Sequence, residues 1–532
     1  MENTYASIPK EKFEFAHDGA LLHDEKLKTK SRSYFQDALR RFRKNKSSVV
    51  AAWIICFLVV FAIVAPIISP YSVYDRTTIY EKMPPYVPSI AKMNLGILNG
   101  SSTRASQSAA QLDTLTAIGT ETGYNPLLKI TGVKEVTEIY RGKERTVKFY
   151  SVSVNSYYAV GTKRINPTYE EYAKIQAWQD EHQLQVILPW VEKDDVYSLV
   201  DTAAGQKKIP DGEIGENVWY KYVYNSAEKK LELAKQNGQL LPAYSTNQKL
   251  MQKLDGTAVP YTSNMRIEGD DGSYVYGKVV SGSIKCRVNY YNYYQYLNDT
   301  EPTFVFGTDN YGGDLFCAIG MGARFSLIFA VIVAAINLTI GAFYGAAQGY
   351  YGGWLDLVLD RVSDILSGVP FIVVTTLFQL HLAQKVGPVV SFLFAFVLTG
   401  WIGMAALTRK QFYRFKNQEY ILAARTLGAS DKRLMFKHIF PNAIGTMITS
   451  CALVIPGVIS SETSLTYLGI IDLSEIAGTS IGTLMAAGQK SISAAPHAML
   501  FPSIFISLLL ISFNLFGNGL RDAFNPSTRG EE

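Results

Sequence analysis

The stretch Glu419–Asn442, EYILAARTLGASDKRLMFKHIFPN, is polar and basic yet lies between two strongly apolar segments, and its placement decides how the rest of the chain is read. Tyr420–Leu427 holds good helix formers, and Gly428 supplies the left-handed turn that ends a helix. Ser430 is placed to cap a second helix over Asp431–Phe440, which Pro441 is expected to stop. A basic helical hairpin of this kind cannot bury itself in hydrocarbon, so it must lie on a membrane surface or dock on a partner.

The flanking segments set that context. Of the 532 residues 48% are hydrophobic and 18% charged, too apolar for an ordinary soluble protein and too polar for one wholly in lipid. The apolar residues fall into six blocks, Ser47–Ile68, Phe325–Ala347, Ile365–Ala383, Val389–Leu407, Ala443–Ile459 and Met499–Phe516, none containing Lys or Arg. Each approaches or reaches the roughly 20 residues a bilayer-spanning helix needs.

Charge orients the spans. Residues 71–301 hold 26 basic and 26 acidic residues, so the net charge of +5 belongs to the membrane part. The excess gathers at Arg40, Arg41, Arg43, Lys44 and Lys46 before the first span, and at Arg409, Lys410, Arg414, Lys416, Arg425, Lys432, Arg433 and Lys437. Both clusters are expected to be cytoplasmic by the positive-inside bias, and their juxtamembrane placement argues against a nucleic-acid partner.

Met1–Lys30 lacks a hydrophobic core followed by a small-residue cleavage site, so it reads as a cytoplasmic tail and not a signal peptide. Ser31–Lys46 has Tyr34, Phe35, Leu39 and Phe42 on one side and arginines on the other, the pattern of an interfacial helix. Residues 1–46 thus form the cytoplasmic tail and interfacial helix, 47–70 the first span, 71–301 an extracytoplasmic insertion, 302–524 a five-helix membrane core and 525–532 a cytoplasmic tail.

The insertion reads as α+β. Glu135–Tyr140 and Arg145–Val152 flank turn residues as in a hairpin, and so do Ser273–Val280 and Ile284–Tyr290. Thr168 can cap a helix through about Glu181, and Ser226–Gln236 reads as a second helix. The tyrosine-rich run Tyr290–Tyr296 could bind peptide backbone or sugar, but such tyrosines are more often half-buried strand or interface residues, the reading favoured here. Only Cys286 of the four cysteines lies in the insertion, so it has no internal disulfide, and no cysteine has metal-ligand spacing.

Several motifs carry a resemblance. Ala423, Ala424, Gly428, Ile439 and Pro441 resemble the EAA loop of ABC-importer membrane subunits. Gly307, Thr308, Asp309, Gly312, Asp314, Gly322, Ala323 and Arg324 resemble the segment before the second span of dipeptide and oligopeptide ABC permeases. Trp354, Asp356, Arg361, Asp364 and Pro370 follow in the same order, as do Glu462, Leu465, Leu468 and Gly469 and the run from Asn514 to Pro526. Two positions depart from the family: Gly313 stands where it usually has Arg, and Leu422 where the name-giving Glu would be, with Glu419 three residues earlier on the same helical face. In Phe306–Ser326 the carboxylates Asp309 and Asp314 are expected to pair with Arg324 at the membrane surface.

The resemblance implies a six-helix α-helical permease, with both ends cytoplasmic, in a bacterial plasma membrane. It would form half the pore of an oligopeptide or dipeptide importer, with a second permease subunit, two cytoplasmic ATPases and an extracytoplasmic peptide-binding lipoprotein as partners. It further implies ATPase coupling through Glu419, Ala423, Ala424, Gly428, Ala429, Ile439 and Pro441, carried more by Ala424, Gly428 and the hairpin's shape than by a salt bridge. Polar residues at membrane depth, Asn337, Gln379, His381, Glu462 and Asn514, are candidates for the translocation path, with Glu462 near a helix break after Pro456 and Gly457. No phosphate-binding GxxxxGK[ST] loop and no HExxH occurs, so the chain is expected to carry neither cofactor nor metal, and ATP to be bound by partners. Gly478–Gly482 fits GxSxG, but no strand precedes it, which argues against a catalytic Ser480. Two other classes remain: an importer of nickel or another small solute on the same scaffold, and a membrane-anchored sensor or adhesion protein.

Overall fold

The computed structural model describes residues 34–188 apart from 73 and 142, short strand segments between 220 and 280, and residues 283–524 apart from 474–479. The expected tails at 1–33 and 525–532, and Gly478 and Thr479 of the GxSxG match, lie outside the described residues.

Among the described residues five helices are long and apolar enough to cross a membrane: Lys46–Ile68, Leu315–Tyr351, Pro388–Lys416, Asp431–Tyr467 and His497–Phe524. The third expected span is broken. Gly353–Ser367 forms one helix, Pro370 interrupts the chain, and Phe371–His381 is an apolar helix of only 11 residues. Proline lacks the N–H a continuing helix would use, and the residue before it is driven out of the helical region. The 37 residues of Leu315–Tyr351 span about 55 Å, longer than a hydrocarbon core.

A short helix, Tyr34–Lys44, precedes the first span. Its Ala38 and Phe42 are buried, and Phe42 meets Phe516 of the last helix edge-on at 5.4 Å. Part of the expected interfacial face thus packs on protein, while Leu39 stays exposed. In the bundle core, Leu58 and Ala62 meet Ile319, Ala323 and Phe329, with Phe392, Ile459, Leu509 and Phe513 closing the same cluster.

The inserted region carries several small antiparallel sheets. Strand Lys143–Asn155 lies between Ser101–Ser108 and Leu127–Tyr140, and the Tyr140 to Lys143 pairing confirms the first expected hairpin. Leu112 and Leu115, from the helix Ala109–Thr122, pack on Tyr150, Val152 and Val154. The helix Tyr169–His182 starts at Thr168, whose side chain accepts from Glu171 N while Glu171 accepts from Thr168 N, a reciprocal cap. Lys278–Val280 pairs with Ser283–Asn289, confirming the second hairpin near its turn.

Two expectations fail here. Within Ser226–Gln236, residues Lys230–Leu233 are a strand paired antiparallel with Tyr220–Asn225, so pairing with a neighbouring strand overrides local helix propensity there. Tyr290–Asn298 is a helix, and Tyr290, Tyr291 and Tyr294 are buried. Helical spacing brings them into one aromatic cluster with Tyr71, Tyr80, Tyr86, Tyr157 and Phe304. Tyr86 stacks on Tyr157 at 4.5 Å, and Tyr71 on Phe304 at 4.6 Å. Tyr86 and Phe304 also exchange two backbone hydrogen bonds of 2.8 Å, so the chain entering the insertion is stitched to the chain leaving it.

Candidate functional site

The hairpin at 419–442 is one helix, a turn and the start of a long helix. Glu419–Thr426 is helical, and Gly428 takes φ +84°, the left-handed value its lack of a Cβ permits. Ala429 N then bonds back to Ala424 O at 3.1 Å. Ser430 occupies the cap position of Asp431–Arg433 in extended conformation, but its side chain makes no capping bond.

Pro441 does not stop the second helix. Leu434–Ile439 widens into a π-helical turn, and Phe440–Tyr467 continues from it with Pro441 in its first turn. A proline in a continuous helix loses one bond and crowds the carbonyl four residues back; the wider turn directly before Pro441 is where that conflict is relieved. The hairpin's second arm is therefore continuous with a membrane helix.

One face of the hairpin is anchored. Ile421, Leu434 and Ile439 are fully buried and, with Met435, pack on Ala346, Tyr350 and Phe412. Tyr350 donates to Asp431 Oδ1, Arg425 reaches the Tyr350 hydroxyl at 3.5 Å, and Asn442 Nδ2 donates to Tyr420 Oη at 3.1 Å. The other face is open. Glu419, Ala423, Gly428 and Pro441 are exposed, Ala424 and Ala429 are half-buried, and Leu427 at the tip is 88% exposed. The proposed coupling residues thus divide: Ile439 is core that holds the shape, and the others lie on or beside the open face. Leu427, a bare apolar tip, was missed because its neighbours in sequence are ordinary helix residues.

Beneath the hairpin, Arg409 bridges Asp356 at 2.7 Å and Asp360 at 2.8 Å, and Tyr413 donates to Asp356. Lys416 Nζ donates to Gly349 O at 2.9 Å. The Arg409 and Tyr413 contacts join helix 353–367, and the Lys416 contact joins helix 315–351, to the helix that leads into the hairpin.

The polar residues proposed for a path do not converge. Asn337 is buried with Oδ1 unpartnered, close to where a Cβ on Gly400 would stand. Gln379 donates to Pro388 O at 3.0 Å and ties the short apolar helix to the next; His381 and Asn514 are exposed, and Asn514 donates to Leu510 O of its own helix. Glu462 is fully buried in an unbroken helix that contains Pro456, not at a break. Ser326 donates to it at 2.7 Å, and Thr463 and Thr466 lie beside it. Ser480 caps the helix Ile481–Lys490 and donates to Thr466 Oγ1 at 3.4 Å. It is buried in a capping role at the start of that helix.

The expected pairing of Asp309, Asp314 and Arg324 does not form. Asp309 accepts from Tyr311 N and Gly313 N, while Asp314 caps helix 315–351 and accepts from Ser69 Oγ at 2.8 Å. Arg324 donates to Ala62 O at 3.4 Å and Ile63 O at 3.0 Å. The cause is Pro66: without an N–H it leaves Ala62 O without its helical donor, and a cation from the neighbouring helix supplies one. Thr308 fastens this segment to the insertion, accepting from Met83 N at 2.7 Å and donating to Tyr80 O, and its carbonyl meets His497 Nε2 at 3.1 Å.

A further feature escaped notice in sequence. Gly341, Gly345 and Gly349 form a stripe at every fourth residue, and a Cβ on each would strike the helix 388–416 at Met404, Ala405 or Phe412. Small residues at this spacing let membrane helices approach closely.

Residues 337–530 match the binding-protein-dependent transport system inner membrane component family, and residues 33–85 match the N-terminal membrane domain of oligopeptide transport permease C. The oligopeptide transport system permease protein OppC of Bacillus subtilis is 39% identical over 224 residues, 42% of this chain and 72% of that protein. OppC of Escherichia coli K12 is 37% identical over 234 residues, 43% of this chain and 75% of that protein. The dipeptide permease DppC of B. subtilis is 37% identical over 225 residues, covering 42% and 69%. With a helical membrane bundle, a basic hairpin projecting from it and relatives matched over most of their length, the chain belongs to the binding-protein-dependent transport system inner membrane component family.

Proposed function

We propose that this chain is one permease subunit of an ATP-driven oligopeptide or dipeptide importer in a bacterial plasma membrane. It forms half the translocation pore with a second permease subunit and docks a cytoplasmic ATPase through residues 419–442; hydrolysis takes place on the partners. The observation that carries the reading is the hairpin itself: one face sealed onto the bundle by Ile421, Leu434 and Ile439, the opposite face open with Leu427 bare. A surface pushed by a partner needs that combination of rigid backing and exposed apolar tip. The names of the relatives support the peptide class of solute.

In this reading the five long helices and the broken segment at 353–381 make six crossings, both termini are cytoplasmic, and residues 71–301 stand outside, beside the pore mouth, where they receive the peptide-binding lipoprotein. No cofactor or metal is required of this chain.

The test is co-purification with the two ATPases and peptide uptake in vesicles. Leu427→Asp and Gly428→Glu should each reduce ATPase retention at least tenfold while leaving assembly with the second permease intact, because a Cβ at 428 meets open space and only backbone strain and surface chemistry change. Unaltered retention and uptake in both variants would sink the proposal. Replacing residues 80–299 by a short linker tests the outer domain: undiminished capture of the lipoprotein would count against its docking role.

A further inference from the structure

Helices Lys46–Ile68 and His497–Phe524 lie side by side, and a groove of about 430 Å³ opens between them on the outside of the bundle. Val50 and Ile54 form one wall, Leu508 and Ile511 the other, and Lys46 with Ser47 stands at one end. From Lys46 to Ile54 the groove runs about 12 Å along the helix. Its walls are open: Val50 is 57% and Ile511 60% exposed, although both belong to spans.

We propose that this groove binds one acyl chain of an anionic glycerophospholipid, whose phosphate is held at Lys46. The lining is apolar apart from the buried Ser512 and the Lys46 end, which fits a ligand with one long apolar arm and one charged head. The positive charge is fixed there and does not sit on a loose tail. Asn45 caps the first span by accepting from Ser48 N, Ser48 Oγ donates to Leu515 O at 3.1 Å, and Phe42 is locked against Phe516. These contacts dock the basic helix Tyr34–Lys44 on the last span beside the groove. Lys46, Arg40 and Arg43 are exposed and make no ion pair among the described residues, so they are available to a headgroup. A zwitterionic lipid offers the same chain but no net charge to these cations. Each basic residue near the surface favours an anionic lipid by about fivefold. The proposal is independent of the transport reading, because it concerns only these two helices and the basic helix before them.

The test is native mass spectrometry of the full chain, purified in detergent and titrated with phosphatidylglycerol or phosphatidylcholine. Wild type should keep one phosphatidylglycerol at least fivefold more tightly than phosphatidylcholine. Lys46→Glu should abolish that preference without weakening phosphatidylcholine, and Lys46→Gln should reduce it. Ile511→Trp, which fills the groove, should weaken both lipids, whereas Ile67→Trp, an exposed position at the opposite end of the first span from Lys46, should change neither. Monodisperse elution and an unchanged Tm establish that each variant is folded. Equal retention of the two lipids by wild type, or a preference that survives both Lys46 substitutions, overturns the proposal. So does a cross-link from position 511 to a second permease subunit in the assembled complex, since a protein helix would then fill the groove.

Discussion

Gly345→Ala puts the glycine stripe to its sharpest test. A Cβ at 345 would lie 2.1 Å from Ala405 O and 2.8 Å from Thr408 Cβ, both on the facing helix. An ordinary carbon to carbonyl-oxygen contact is about 3.3 Å, so the helices must part by about 1.2 Å at this point. Such a gap removes a quarter to a half of each dispersion contact along the seam, and overpacking of this kind typically costs about 1–3 kcal/mol. Helix propensity works the other way, since Ala is favoured over Gly by up to about 1 kcal/mol, leaving a net loss of up to about 2 kcal/mol. Gly403→Ala is the internal control: it lies on the partner helix with nothing within 4 Å of its Cβ, so only the propensity gain applies. Thermal unfolding of the purified chain in detergent, followed by tryptophan fluorescence, should show Gly345→Ala with a lower Tm than wild type and Gly403→Ala with an equal or higher one. If Gly345→Ala is as stable as Gly403→Ala, the close helix contact is not a source of stability and the reasoning is wrong.

Three further outcomes follow from particular contacts. Arg324→Leu should destabilise the bundle by about 1–3 kcal/mol, because Ala62 O and Ile63 O lose their side-chain donor; Pro66→Ala in the same chain should recover part of it by restoring an N–H for Ala62 O, and a purely additive double mutant would refute the pairing. Thr168→Ala should cost about 1 kcal/mol of local stability in the insertion, read as faster amide exchange over Tyr169–His182. The Tyr124 hydroxyl is pushed up to about 12, first by burial and then by Tyr158 and Glu301. A group raised in the folded state favours its neutral form there, so its stabilisation is whole below about pH 10 and is lost as pH rises towards 12. Tyrosinate absorbance should therefore show a late-titrating class that ionises together with loss of near-ultraviolet circular dichroism; ionisation of every tyrosine near pH 10 with the fold intact would contradict the buried cluster.

Much of this protein was legible as composition and period. Long apolar runs without Lys or Arg have one stable outcome, a membrane helix, because lipid leaves the backbone no other way to pair its polar groups, and five of the six blocks lie within long helices. Local chemistry was equally decisive at Thr168 and Glu171, at Gly428 and in the 135–152 hairpin, since caps and turns are settled by residues within a few positions of one another. Sequence failed where a distant partner chose the outcome. Pro441 reads as a stop, yet a π turn carries the helix past it; Arg324 reads as a partner for Asp309 or Asp314, yet Pro66 on another helix had already freed a carbonyl for it. Tyr290–Tyr296 reads as a strand run, but the aromatic rings of Tyr71, Tyr80, Tyr86, Tyr157 and Phe304 bury one helical face of it. Spacing along the chain determined which segments enter the membrane and where they turn; only the packed structure decided which side chains satisfy which orphaned groups, because those partners are brought together by helix contacts across hundreds of residues.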